Sequence, residues 1–84
     1  MKFDFVVLGA TGEEGGIASK DLLESDYSVL LCGRNFSRIK HLLKYKKAKF
    51  AYVDLNDIKK TASILKKSRA KIAVNCAELK MNIN

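Results

Sequence analysis

Phe3-Asp4-Phe5-Val6-Val7-Leu8, running directly into Gly9-Ala10-Thr11-Gly12-Glu13-Glu14-Gly15-Gly16, is the stretch that decides the fold. Its first part is apolar without a break after Asp4 and too short for a helix. That pattern predicts a strand buried on both faces, as in a parallel sheet. The glycines that follow predict a tight turn. Beyond them Ile17, Ala18 and Leu22, with Leu23 on the flank, recur at helical spacing and predict a helix over about 13–24 whose inner face they form.

The same alternation continues outward. Tyr27 to Cys32 reads as a second strand closed by Gly33, and Phe36, Ile39, Leu42 and Leu43 read as a second amphipathic helix. Residues 49–53 read as a third strand. Asn56 or Asp57 can cap a third helix with Ile58, Ala62 and Leu65 inside, and 71–76 read as a fourth strand. Strands alternating with helices imply right-handed crossovers and a parallel sheet. The expectation is therefore an α/β domain, a Rossmann-like half with about four parallel strands in the order 3-2-1-4 and flanking helices.

Size and composition agree with a single domain spanning the chain. Its 84 residues are 48% apolar and 30% charged, with no proline and a mean hydropathy of −0.10. A chain of this length buries only about 60% of its unfolded surface, so the core is expected to be thin. No apolar run approaches the ~20 residues of a membrane span, and the start lacks the long apolar stretch of a signal peptide, which makes the cytoplasm the expected location. Cys32 and Cys76 match no zinc spacing. On strands flanking the first they would stand about 9 to 10 Å apart, too far for a disulfide. His41 has no partner in sequence and is read as a surface residue.

Placement gives the glycine turn its chemistry. Between a strand and a helix, Gly9 permits the tight turn, Gly12 lets backbone amides approach a pyrophosphate, and Gly15 lets the helix pack closely on the strand. The helix N-terminus then offers N–H donors and a positive dipole end to phosphates. After the second strand, where an acid would bind the ribose of NAD, stand Gly33-Arg34-Asn35-Phe36-Ser37-Arg38. A guanidinium there suits a 2′-phosphate, so NADP is expected over NAD; the alternative is that Arg34 and Arg38 are solvated residues at a helix start. Asp54 and the Asn75-Cys76-Ala77 segment fall at carboxyl ends of strands, where open α/β sheets bind ligands. Asp54 either accepts the adenine amino group or caps local backbone.

Four pieces, V-V-L-G-A-T-G-E-E-G, L-L-C-G-R-N, Y-V-D-L-N-D and I-A-V-N-C-A, make the chain resemble, over nearly its whole length, the NADP-binding domain of saccharopine dehydrogenase-like oxidoreductases. Atypical short-chain dehydrogenases and NmrA-like regulators share the G-A-T-G turn and stand as the nearest competitors. The resemblance implies a pyrophosphate at Gly9, Ala10, Thr11, Gly12 and Gly15, a 2′-phosphate at Arg34 and Asn35, adenine at Asp54, and cofactor contact at Cys76 and Ala77. The chain departs from the family's pattern in Glu13 and Glu14, beside the expected pyrophosphate, and in Glu78 where Gly-Pro usually follows N-C-A. A carboxylate about 6 Å from a phosphate costs near 1 kcal/mol. The family's substrate domain has no counterpart here, so the chain is expected not to be a competent enzyme alone. Its fourth strand is expected to present an open edge for a second copy or for a chain supplying the missing half.

Two other functions compete. One is a non-catalytic sensor of the NAD(P) pool. The other is nucleic-acid binding, suggested by charge: residues 1–33 sum to −4 and residues 34–71 to +11. Against nucleic acid stand two arguments. Many of those cations sit at expected helix ends, where dipoles account for them, and no aromatic-interleaved binding strand is evident.

Overall fold

The structure, a computed structural model, describes residues 2–77. Four parallel strands, β1 (Phe5–Leu8), β2 (Val29–Gly33), β3 (Ala48–Tyr52) and β4 (Ile72–Asn75), form one sheet in the order β3-β2-β1-β4. Helix α1 (Glu13–Glu24) connects β1 to β2 and helix α2 (Ile58–Ser68) connects β3 to β4. The domain is thus the α/β Rossmann-like half expected. The departure at Glu78 lies outside the described residues.

Both faces of the sheet are covered, which is why β1 reads as an unbroken apolar run. Val7 belongs to a cluster with Leu31, Ile39 and Leu42 on the α1 side, whereas Val6 joins Leu30, Cys32 and Val53 on the α2 side. Val6 and Val7 are both buried, and burying each contributes about 1.5 kcal/mol or more. At the outer edge β4 is much less covered, with Ile72 52% exposed.

Three expectations about the helices are corrected. The helix expected through Phe36, Ile39, Leu42 and Leu43 is instead two 3-10 helices, Phe36–Arg38 and Lys40–Lys44. Ile39, Leu42 and Tyr45 each donate a backbone N–H to the residue three positions back, so Phe36, Ile39, Leu42 and Tyr45 follow one another at a period of three. Three residues per turn is the 3-10 repeat, and it stacks this apolar row in register. Asn35 stands at the start of the first of these 3-10 helices, where its side chain caps no backbone group and its Oδ1 accepts the Ser37 hydroxyl at 2.6 Å.

On α1 the inward row is Gly15, Ser19 and Leu23, and Ile17 is 60% exposed. The close approach at Gly15 fixes the rotation of the helix, and a residue two positions on then points away from the sheet. On α2 the inward residues are Ile64, Leu65 and Ser68, while Ile58 and Ala62 are exposed. Asp57 caps that helix, its carboxylate accepting the Lys60 N–H at 3.1 Å. Ser68 is held at the other end, its carbonyl accepting from the Phe3 N–H at 3.2 Å.

Asp4 joins the entry of β1 to the entry of β2. Its carboxylate accepts from the Ser28 N–H at 2.9 Å and from the Ser28 hydroxyl at 3.1 Å. The backbone bond above all holds its pKa below the ordinary aspartate value against the opposing effect of desolvation, helped by the hydroxyl bond and then by the charges of Lys71 and Lys47. A carboxylate whose pKa is lower folded than unfolded stabilises the fold above the unfolded value of about 3.9, and that contribution is lost as pH falls through the folded value. Asp4→Asn is therefore expected to flatten the acid limb of a stability-versus-pH curve below about pH 4, measured by urea unfolding. An unchanged limb would show that Ser28 does not favour the charged form.

Candidate functional site

At the carboxyl ends of the strands the turn after β1 is built by contacts that admit no side chain. Gly9 has φ +78°, and a Cβ there would stand 2.7 Å from the Ala77 backbone. The Gly9 and Ala10 N–H groups both donate to the Cys32 carbonyl, at 3.0 and 2.9 Å, which ties the turn to the end of β2. Gly15 lies beneath, where a Cβ would fall 2.0 Å from the Gly9 carbonyl oxygen.

Gly12 is different. It caps α1 with φ −82° and ψ 171°, a conformation open to any residue, and a Cβ there would meet only the Gly9 oxygen, at 3.4 Å. It supplies no side-chain cap. The first N–H groups of α1 therefore face outward beside an exposed glycine that the fold does not require.

These groups form one wall of a cleft of about 890 Å³. Of the expected site residues, Gly9, Thr11, Gly12, Arg34, Asp54, Cys76 and Ala77 line it. Asn35 lies in an adjoining hollow with Arg34 and Arg38, alongside Thr11 and Gly12. Ala10 and Gly15 are buried and line neither space; their part is to hold the turn. Arg38, which the family resemblance does not place at the site, lines both spaces because the 3-10 turn from Phe36 brings it back beside Arg34. The signal for it in the sequence is the four-residue spacing from Arg34 in a segment without acids.

Asp54 is partly engaged by its own turn. Its Oδ1 accepts the Asn56 N–H at 2.9 Å and its carbonyl accepts the Asp57 N–H at 2.8 Å, so local capping is realised while the residue still lines the cleft. Glu13 and Glu14 line the cleft and are exposed. Three carboxylates thus share the space with two guanidiniums. The arginines stand at the β2 end of the cleft and the two glutamates at the α1 end, so positive charge is concentrated at the β2 side rather than spread over it.

Both cysteines are free thiols. Cys76 lines the cleft, its N–H donating to the Leu8 carbonyl at 2.8 Å. Cys32 packs into the α2-side cluster, and burial pushes its thiol up to about 11. His41 is exposed, as expected. Among the described residues no group of His, Cys, Asp and Glu is placed to hold a metal ion, and no helix is long and apolar enough to cross a membrane.

Compared with known proteins, the chain matches no family model and no curated sequence.

Proposed function

We propose that this domain binds NADP, as the dinucleotide-binding domain of an oxidoreductase of the saccharopine dehydrogenase-like kind that its sequence resembles. The observation that carries the reading is Gly12. A glycine that neither backbone conformation nor packing demands, at the uncapped start of a helix and on the wall of a cleft, leaves room for a pyrophosphate against the first-turn N–H groups. Arg34 and Arg38 on the same cleft supply cations for a 2′-phosphate, with bidentate geometry available to each. Asp54 keeps one carboxylate oxygen outside its turn hydrogen bond for the adenine amino group. Glu13 and Glu14 weaken phosphate binding, by about fivefold for a carboxylate at 6 Å.

Thermal unfolding with NADPH, with NADH and without ligand tests this. At a hundred times the dissociation constant NADPH is expected to stabilise the domain by about 2.7 kcal/mol, which is about 10 °C or more in Tm at this size. Arg34→Ala is expected to lower NADPH affinity about tenfold or more and to leave NADH affinity unchanged. Retained preference for NADPH would place the 2′-phosphate elsewhere. No shift with either cofactor at millimolar concentration would overturn the dinucleotide reading.

A further inference from the structure

We propose that the rim formed by the two 3-10 helices, the outer strand β3 and the first turn of α2 is a docking surface for a single-stranded nucleic acid. Between Ile39 and Val53, beyond the two arginines of the cleft, the chain carries five lysines and no acid, and every one of the five is exposed. Among the described residues only Lys47 of this group is in an ion pair, with Asp26 at 3.2 Å. Helix dipoles account for cations at the carboxyl ends of helices, and Lys66 and Lys67 on α2 are of that kind. The rim cations are not. No α-helix covers 36–44, and two 3-10 helices of three and five residues have almost no dipole to neutralise. Lys59 and Lys60 stand in the first turn of α2, at its positive end, where they are repelled. Cations that no helix C-terminus accounts for, gathered on one edge of the sheet, complement a polyanion.

Exposed rings on the same rim select a single strand over other polyanions. Tyr52 is 55% exposed and Phe36 46%. Register brings them to one place: Tyr52 pairs with Gly33, three residues before Phe36, and Phe36 packs edge-on against Phe50, two residues before Tyr52. The Lys60 ammonium lies 5.4 Å from the Tyr52 ring centroid. A cation beside a solvent-facing ring is the pairing that unstacked nucleotides use, phosphate on the one and base on the other. Lys46, Lys49 and Tyr52 lie outside the dinucleotide cleft, so the two surfaces are separable.

The test is fluorescence anisotropy with a dye-labelled single-stranded DNA of about 12 nucleotides. Binding is expected at low salt, with affinity falling about a hundredfold between 50 and 200 mM salt for five phosphate contacts. Lys46→Glu combined with Lys49→Glu is expected to weaken binding at least tenfold. Tyr52→Ala is expected to weaken it about fivefold or more, while Tyr52→Phe retains it. Each variant should melt at the wild-type temperature and keep its NADPH response, since these side chains are exposed and line neither the cleft nor its adjoining hollow. Absence of binding at 50 mM salt would overturn the proposal. So would a Tyr52→Ala affinity equal to wild type, or a duplex of the same sequence or heparin binding as tightly as the single strand, because any of these would reduce the surface to nonselective charge.

Discussion

Gly15→Ala is expected to leave no stable folded domain. The added Cβ would lie 2.0 Å from the Gly9 carbonyl oxygen, 2.7 Å from the Gly9 carbonyl carbon and 2.8 Å from the Ala10 Cα. All three are backbone atoms of the turn, and the turn is fixed by the two bonds to the Cys32 carbonyl and by Gly9 against Ala77. Relief requires α1 to move away from β1, which uncovers Ser19 and Leu23. Overpacking a core commonly costs about 1 to 3 kcal/mol, and more when the obstacle is backbone. A domain of this size has only about 4 to 12 kcal/mol to lose. Thermal melts followed by circular dichroism check this, with Gly16→Ala as the control. A Cβ at Gly16 meets nothing closer than 3.7 Å, and helix propensity there favours alanine by up to about 1 kcal/mol. A Gly15→Ala protein melting within a few degrees of wild type would mean that the helix does not approach the strand this closely.

The second large effect separates binding from folding. Gly12→Val is expected to lower NADPH affinity at least a hundredfold while changing stability by less than about 1 kcal/mol. The position is exposed, its backbone angles suit valine, and an added Cβ would have one near neighbour, the Gly9 oxygen at 3.4 Å, so the fold has little reason to respond. A branched side chain at the helix start would instead occupy the space a pyrophosphate needs and screen the first-turn N–H groups. Isothermal titration with NADPH, beside a urea melt, reads the two quantities. Equal loss of stability and affinity would make Gly12 one more structural glycine and remove the main support for the dinucleotide site.

Strand order, crossover connections and the limits of α1 were legible because each rests on local letters. The doubly buried β1 shows as an unbroken apolar run, and the glycine after it marks the turn. What could not be read was rotation. Ile17 looks like a core residue by spacing, yet the backbone contact at Gly15, a residue with no side chain to announce itself, turns it to solvent. Ile58 fails for a related reason: the tie from Ser68 to Phe3 at the far end of α2 sets which stripe faces the sheet. The 36–45 segment carries both spacings: Phe36, Ile39, Leu42 and Tyr45 are three apart, while Ile39 and Leu43 are the four-residue step of an α-helix, so letters alone do not separate the two helices. Most of the candidate cleft was legible because strand ends are where such sheets gather side chains. Arg38 was not, because its place depends on the tight 3-10 turn.

The order β3-β2-β1-β4 also has a consequence for synthesis. The strand translated first is the central one, flanked by β2 and by β4, which is translated last of the four. While the ribosome is still making α2, Val6 and Val7 already form a hydrophobic rail with one side unpaired, and every partner of β1 arrives only after a crossover. Such non-local pairing is slow and prone to association between nascent chains. Chaperone demand for this domain should therefore peak just before residue 75 emerges.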